Sequence, residues 1–201
     1  YIRKRETYFR RQLLRAPLRV SLPADMAALA AARMRTAGVA EDRPLALIHA
    51  REAGFKGSGR EVHHKHAVAG AGVRDDSCRN GRIELYREAI DLLLARGYCV
   101  VRLGDPSMPP LPWDDVIDLA RATDDAGALQ IYCLLRGRLL IAGEAGPSAV
   151  ALVTNTPVLT VNGTDPIGSY PVRRDGLLLL KTVVRRRDGH ALSPREMLEE
   201  A

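Results

Sequence analysis

The sequence has few aromatic residues, few cysteines and no long apolar run. Aromatic residues make up 4% of the 201 positions, so most of the core must come from the Leu, Val, Ile and Ala that dominate the 46% hydrophobic content. No segment approaches the roughly 18 consecutive apolar residues of a membrane-spanning helix, and no signal peptide is visible. These absences favour a globular domain with a single core, for which the length is sufficient.

The cysteines are odd in number, and none forms a C-x-x-C pair. Cys99 and Cys133 lie in apolar segments and are expected to be buried thiols, whereas Cys78 lies in a polar segment. This pattern indicates a reducing, cytoplasmic compartment. Three clustered histidines, His63, His64 and His66, have no cysteine or fourth histidine at a zinc-ligand spacing, so we expect no bound metal.

The formal net charge is +6, and the basic excess is mainly arginine. Arginine binds phosphate and carboxylate groups bidentately, but a GC-rich genome explains the same bias. Residues 1–20 form a basic arm with interspersed apolar residues. A solvated connector is its simplest interpretation. Peripheral contact with the inner membrane or binding of nucleic acid are the alternatives, although a nucleic-acid partner is not expected.

The segment from Ser77 to Asp105 is the clearest structural unit. A polar loop with Arg79 and Asn80 precedes a predicted helix, whose apolar face carries Ile83, Tyr86, Ile90, Leu93 and Leu94. Gly97 is placed to end that helix, and the apolar run 98–103 predicts a buried strand. The strand ends in Arg102-Leu103-Gly104-Asp105.

Other strands and helices alternate along the chain. The sequence predicts strands at 45–50, 138–142, 157–161 and 177–180, a strand or helical turn at 116–119, and helices at 24–37, 126–135 and 147–153. Ser193 and Glu196 predict a capping box that opens a final helix. This order predicts an α/β fold, a Rossmann-like parallel sheet with helices on both faces. Residues 1–40 are interpreted as a basic arm and linker helix, and residues 41–201 as the domain.

Polar or glycine-rich segments follow four of the strands, where open α/β sheets bind ligands. The most informative is the turn Gly143-Glu144-Ala145-Gly146-Pro147-Ser148, because small residues and a following helix N-terminus favour phosphate. A simple strand-to-helix turn is an equally good interpretation. The turn matches neither G-x-G-x-x-G nor a P-loop, which disfavours nicotinamide and P-loop enzymes, and Ser148 lacks the G-x-S-x-G context of hydrolases.

Arginines form a second set of candidates at the same edge. Arg51, Arg79 and Arg102 could neutralise a diphosphate. For each arginine alone a surface salt bridge is the favoured interpretation, and their shared placement at one edge raises the functional one. His49 could act as a general base or bind a sugar, or it could be a satisfied structural histidine.

Taken in order, these residues resemble a family of bacterial glycosyltransferases of the GT-B type. The resemblance covers about residues 40–200 and rests on the following residues: His49-Ala50-Arg51-Glu52, Ser77-Cys78-Arg79-Asn80, Tyr86, Gly97-Tyr98, Arg102-Leu103-Gly104-Asp105, Gly143 to Pro147, Pro157, Asn162 and Lys181.

The resemblance implies the C-terminal, donor-binding half of a GT-B fold, which transfers a sugar from a nucleotide-sugar to a glycan or lipid-linked acceptor in polysaccharide synthesis. It implies a metal-independent transferase without a cofactor. It places His49, Arg51 and Glu52 on the catalytic, acceptor side. The donor side then comprises Arg79, Asn80, Arg102, Gly104, Asp105, Gly143, Glu144, Ala145, Gly146, Pro147, Ser148, Asn162 and Lys181.

This sequence departs from the family pattern in two ways, which leaves a second interpretation of its function open. Ala145 stands where the glycine turn of the family is expected to carry Ser or Thr, and the sequence begins at Tyr1 with no acceptor-binding N-terminal domain. The alternative is therefore a fragment or a non-catalytic nucleotide- or sugar-binding module. A third hypothesis is a basic interaction protein that acts through its arm.

Overall fold

A computed structural model describes residues 20–52, 79–122, 125–164 and 175–199. Within them lie six strands: β1 (Leu45–His49), β2 (Cys99–Arg102), β3 (Ile117–Asp118), β4 (Gly137–Ala142), β5 (Val158–Gly163) and β6 (Leu177–Leu180). The helices are α1 (Ala24–Thr36), α2 (Arg87–Ala95), α3 (Ala126–Arg136), α4 (Gly146–Thr154) and α5 (Pro194–Glu199), with 3₁₀ turns at Ile83–Tyr86 and Leu119–Arg121. Three predictions concern residues outside the described ranges: those on the basic arm up to residue 19, on the histidine cluster and on Cys78.

The six strands form one parallel sheet in the order β3-β2-β1-β4-β5-β6. The chain runs outward from β1 to β3, returns to β4 beside β1 and then runs outward the other way. This is the strand order of a Rossmann fold, with its switch point between β1 and β4. The predicted α/β class is confirmed.

Both faces of the sheet are covered by helices, and strand β1 shows why. Leu45 and Leu47 of β1 pack into the same core as Met34 of α1 and Cys133 of α3. The alternate residue Ile48 packs on the opposite face with Ile90 of α2. All five strand residues are buried, as expected for the central strand of a parallel sheet.

Most element boundaries agree with the sequence predictions, and two are refined. The helix predicted from residue 83 begins as the 3₁₀ turn Ile83–Tyr86 and continues as α2, and Gly97 after it is left-handed with φ +81° as predicted. The ambiguous segment 116–119 contains both alternatives, since β3 is followed directly by a 3₁₀ turn.

The capping box at the last helix is also present. Ser193 Oγ accepts from the Glu196 N–H, and Glu196 Oε2 accepts from the Ser193 N–H at 2.8 Å. The boundary at residue 40 stays a prediction, although α1 on its N-terminal side buries Ala30 and Met34 in the main core. Throughout the described ranges, every helix is too short or too polar to cross a bilayer.

Candidate functional site

The turn after β4 leads directly into the N-terminus of α4 beside the switch point of the sheet. Ala145 is the N-cap residue and has extended backbone, and Pro147 lies in the first turn. Because a methyl group accepts no hydrogen bond, the Ala145 side chain caps none of the first N–H groups of the helix. The Ala145 carbonyl accepts from the Ser148 N–H at 3.2 Å, and Pro147 has no N–H, so the Gly146 N–H is the one first-turn donor before Ser148. The Ser148 hydroxyl donates to the Gly143 carbonyl at 2.7 Å, so it stabilises the turn. An exposed N-terminus of this kind attracts an anion.

Glu144 connects this turn to two neighbouring loops. Its Oε1 accepts from the Thr164 N–H at 2.6 Å, and its Oε2 accepts from the Thr164 hydroxyl at 2.9 Å. Arg79 Nη2 donates to the Glu144 carbonyl oxygen at 2.5 Å, and Arg79 Nε lies 3.4 Å from Oε2. Three predicted donor-side residues, Arg79, Gly143 and Glu144, are thereby brought together.

The segment 79–81 also joins β1 and β6. Lys181 Nζ donates to the Asn80 carbonyl at 2.6 Å, and the Gly81 N–H donates to the Arg51 carbonyl at 2.8 Å. Lys181 follows β6, and its own N–H donates to the Gly163 carbonyl at 2.8 Å. The cationic side chains of Arg79 and Lys181 therefore lie on one connected group of loops at the carboxyl edge of the sheet.

Asn162 at the end of β5 has a left-handed backbone with φ 56°, a conformation that asparagine adopts more readily than most residues. Its side chain hydrogen-bonds Tyr86, whose hydroxyl also donates to the His49 carbonyl at 3.3 Å. Burial raises the pKa of Tyr86 to about 12, so the phenol stays protonated and able to donate. Tyr86 thus links the ends of β1 and β5.

His49 is buried at the end of β1, and its ring is fixed by one hydrogen bond. Nδ1 lies 2.9 Å from the Leu103 carbonyl oxygen, which requires the proton on Nδ1 and leaves Nε2 as an acceptor. Burial lowers the pKa of His49, and the bond to Leu103 offsets part of that effect. The neutral imidazole is suited to accept a proton or a sugar hydroxyl hydrogen.

Arg102 is fully enclosed, with no exposed side-chain surface, and lies between two carboxylates. Nη2 lies 3.2 Å from Glu52 Oε1, Nη1 lies 3.2 Å from Asp118 Oδ2, and Nη1 also donates to the Pro109 carbonyl at 2.7 Å. Its position is internal, so the diphosphate role predicted for Arg102 stays a prediction. Its observed partners instead fix the carboxylate of Glu52.

The loop after β2 is held by residues of the protein itself. Gln130 of α3 accepts from the Gly104 N–H at 3.1 Å and donates to the Gly104 carbonyl at 2.7 Å. A Cβ on Gly104 would lie 2.3 Å from the Met108 sulfur. Asp105 Oδ1 accepts from the N–H and the hydroxyl of Ser107. Gly104 is therefore required for close packing within the loop, and the ligand contacts predicted for Gly104 and Asp105 stay predictions.

Sequence reasoning missed three residues that build this edge: Asp118, Gln130 and Thr164. A carboxylate directly after the apolar pair Val116-Ile117, and a lone amide within the apolar stretch around residue 130, were available signals. Thr164 gave no signal in the sequence. Over the part of the chain that the structure describes, no three His, Cys, Asp or Glu side chains are grouped to hold a metal ion.

Comparison with known proteins gives a fold but no sequence family. Neither the protein-family models nor the curated protein sequences match the chain. Two solved structures share its fold. They are the glycosyl transferase family 9 structure from Veillonella parvula DSM 2008, with a TM-score of 0.56 at 15% identity, and the E. coli ADP-heptose lps heptosyltransferase II, with a TM-score of 0.54 at 14% identity.

The alignments cover 82% and 90% of this chain but only 42% and 51% of the respective structures. The chain thus spans about half the length of each. Its sheet and surrounding helices form a Rossmann-like fold that matches one half of a GT-B glycosyltransferase.

Proposed function

We propose that the chain is the nucleotide-sugar-binding half of a glycosyltransferase. The observation that carries the proposal is the uncapped N-terminus of α4 beside the switch point, connected through Glu144 to the cationic Arg79. Rossmann-like sheets bind nucleotides in the crevice at this point, and a diphosphate matches both the helix N-terminus and the guanidinium. The similarity to glycosyltransferase structures is independent support at the level of the fold.

On this proposal the donor diphosphate lies between the Gly143–Ser148 turn and the side chains of Arg79 and Lys181. Asn80, Asn162, Gly104 and Asp105 surround the rest of the donor, and His49, Arg51 and Glu52 face the acceptor. The acceptor is a glycan or lipid-linked glycan in polysaccharide synthesis, and a second domain supplies its binding surface. We place the protein in the cytoplasm, in peripheral contact with the inner membrane, and we propose that the reaction needs no metal.

A non-catalytic nucleotide-binding module is the second candidate. It is favoured by Ala145, because Ser or Thr at that position would offer the phosphate a hydroxyl donor in addition to the helix N–H groups. The two candidates share the donor site and differ in turnover. A module binds the nucleotide-sugar without releasing the nucleoside diphosphate.

The test is thermal unfolding of the full chain with a panel of UDP-, GDP-, CMP- and ADP-sugars. A ligand present at 100 times its dissociation constant stabilises the folded state by about 2.7 kcal/mol, which is readily measured. We expect one nucleotide to raise the melting temperature and Arg79→Ala to abolish the increase.

Arg82→Ala is the matched control. Arg82 lies three residues further along the same segment, is exposed, and pairs only with the exposed Glu84 among the residues described. Its removal takes away the same charge and should leave nucleotide affinity within about threefold, allowing for long-range screening. Equal losses in both variants would indicate non-specific charge attraction, and no stabilisation by any nucleotide would exclude the proposed site.

A further inference from the structure

The carbonyl oxygen of His49, at the end of β1, joins the turn after β4 to a buried phenol. The Gly143 N–H donates to this oxygen at 3.4 Å, which carries the β1–β4 pairing up to the first residue of the turn. The Tyr86 hydroxyl donates to the same oxygen at 3.3 Å. A carbonyl oxygen has two lone pairs and accepts both bonds at once. Tyr86 is therefore linked through a single atom to the Gly143–Ser148 turn.

The Asn162 side chain links the same phenol to the segment that carries Arg79. It hydrogen-bonds the Tyr86 hydroxyl, and its amide nitrogen lies against the backbone of Gly81, where an added Cβ would be only 3.2 Å away. The strand sets the direction of this amide, because Asn162 has a left-handed backbone and lies within a register shift of the β5–β6 pairing. The position of Gly81, two residues after Arg79, is thus defined from the end of β5.

Tyr86 itself is only 5% exposed, so any effect that it has on a bound ligand is indirect. Its ring packs with Ile83 and Ile90 in the core on the α2 face of the sheet. A phenylalanine would fill the same space without burying a hydroxyl, which is costly unless it is hydrogen-bonded. Here the hydroxyl donates to His49 and accepts from Asn162, so it serves two connections between segments rather than packing.

We propose that Tyr86 is a positioning residue of the donor site, which sets the Gly143–Ser148 turn and the Arg79 segment at the separation that a diphosphate requires. The path to the turn runs through the His49 carbonyl, and the path to Arg79 runs through Asn162. This inference rests on the proposed nucleotide-sugar binding and names a residue that serves it without contacting the ligand. Charge-assisted hydrogen bonds depend steeply on distance and angle, so a shift of either segment weakens the binding of a diphosphate.

The experiment is isothermal titration of the full chain with UDP, GDP, CDP and ADP, followed by titration of the variants with the nucleoside diphosphate that binds. Each titration is made well below the melting temperature of the variant, so that lower stability does not reduce the folded fraction. We expect Tyr86→Phe to raise the dissociation constant by roughly tenfold, because misplacing a positioned group by about 1 Å costs up to roughly 100-fold. In phosphorus NMR, the resonances of the bound nucleotide should also move in Tyr86→Phe, since the groups around the phosphates are displaced.

Tyr132→Phe is the matched control, because it removes the same hydroxyl from another tyrosine. The Tyr132 hydroxyl accepts from Arg136 Nη1 at 3.3 Å, the same distance as the bond from Tyr86 to His49. Tyr132 lies near the C-terminal end of α3, directly before β4 begins, and so at the opposite edge of the sheet from the proposed donor site. Tyr132→Phe should therefore leave the dissociation constant and the phosphorus resonances unchanged.

Two double-mutant cycles show whether the hydroxyl acts through the proposed paths. Arg79→Lys keeps the positive charge but loses the planar guanidinium, whose bonds depend most on exact placement. Tyr86→Phe should therefore raise the dissociation constant by a smaller factor in the Arg79→Lys background than in the wild type. Asn162→Gly keeps the left-handed backbone and removes the amide, so it should weaken binding of the same nucleotide. Tyr86→Phe should then add less to that loss than it does in the wild type.

The outcomes separate this inference from the proposed function. If no nucleoside diphosphate binds the wild-type chain, the proposed donor site itself is wrong. If one binds, and Tyr86→Phe and Asn162→Gly leave its dissociation constant unchanged, only the positioning role is overturned. Equal factors for Tyr86→Phe in the wild-type and Arg79→Lys backgrounds would also overturn that role, since the hydroxyl would then act independently of Arg79. Should Tyr86→Phe fail to fold, Asn162→Gly and its own cycle with Arg79→Lys decide the question by the same criteria.

Discussion

The Glu144 carboxylate accepts hydrogen bonds from both the N–H and the hydroxyl of Thr164, at 2.6 and 2.9 Å. Glu144 precedes α4 and Thr164 follows β5, so this single contact fixes the spacing of two loops at the switch point. A carboxylate at the entrance of a helix would by itself repel a phosphate. Because both of its oxygens are bonded to Thr164, and one lies near Arg79, its charge is directed into the protein framework.

Replacement of Thr164 by Val tests this contact, because it removes the hydroxyl and keeps the shape and the N–H. Hydrogen bonds to charged groups contribute about 1.5–3 kcal/mol, so we expect the free energy of unfolding in urea to fall by about 1–2 kcal/mol. Thr36→Val is the control, since the Thr36 hydroxyl bonds only a backbone carbonyl on an exposed helix end. Equal losses in the two variants would contradict a special role for the Glu144 contact.

Arg102 and Arg87 have similar ionic partners but differ in burial. Each guanidinium contacts two carboxylates, but Arg87 pairs with Asp91 and Asp115 at the surface, where it also lies over the Trp113 ring at 5.2 Å. Arg102→Met leaves two carboxylates buried without a counter-charge, so stability in urea at pH 7.5 should fall by about 3–5 kcal/mol. The deficit should shrink toward pH 5, because the unpaired carboxylates can then be protonated.

Arg87→Met should lower the free energy of unfolding much less than Arg102→Met, because water and salt screen the charges of Asp91 and Asp115. The same urea measurement at low and high salt distinguishes the two variants. The stability loss of Arg87→Met should depend on salt, because only the surface ion pairs are screened. A larger loss for Arg87→Met than for Arg102→Met would show that the burial argument is wrong.

The sequence predicts the fold well because the spacing of apolar residues along the chain follows which side chains are buried. The continuous apolar run around Leu47 and the helical spacing of Ile90 and Leu93 place each residue on the face that it occupies in the structure. The turn after β4 and Arg79, which glycine and arginine single out in local sequence, lie in contact through Glu144, and their binding of a ligand stays a prediction.

The partners of those residues could not be predicted in the same way. Arg102 looks like a ligand-binding arginine in sequence, yet its bonds go to Glu52 and Asp118, which lie 50 and 16 residues away. Likewise, Gly104 resembles a phosphate-binding glycine but packs against Met108. Such pairings depend on strand order and side-chain direction, which no local pattern contains.

His49 should make stability depend on pH near neutrality. Burial lowers the pKa of its imidazole in the folded protein, so its contribution is fully present above pH 6.5 and is lost as the pH falls toward the lowered folded value. His49→Asn keeps a donor for the Leu103 carbonyl and removes the titration. Between pH 7.5 and 5, the wild-type free energy of unfolding should therefore fall more steeply than that of the variant, by at most about 1.4 kcal/mol per pH unit. Parallel pH curves would exclude a buried neutral His49.

Two glycine-to-alanine changes should have opposite effects on stability. At Gly104 the new methyl carbon would lie 2.3 Å from the Met108 sulfur and 3.1 Å from the Ala120 Cβ, and Met108 is buried with little room to move. Overpacking of this kind costs about 1–3 kcal/mol. At Gly127, in the first turns of α3, a methyl carbon meets no atom within 4 Å, and alanine is favoured in a helix by up to about 1 kcal/mol.

Urea denaturation of both variants measures the difference, and nucleotide-sugar binding gives a second readout. Because Gly104 is held by Gln130 close to the carbonyl that orients His49, displacement of its loop should also weaken the donor site, whereas Gly127→Ala should leave affinity unchanged. The Gly104→Ala variant would bind normally despite its lower stability if the loop after β2 took no part in the site. That result would confine the donor site to the turn after β4 and the loops joined to it through Glu144.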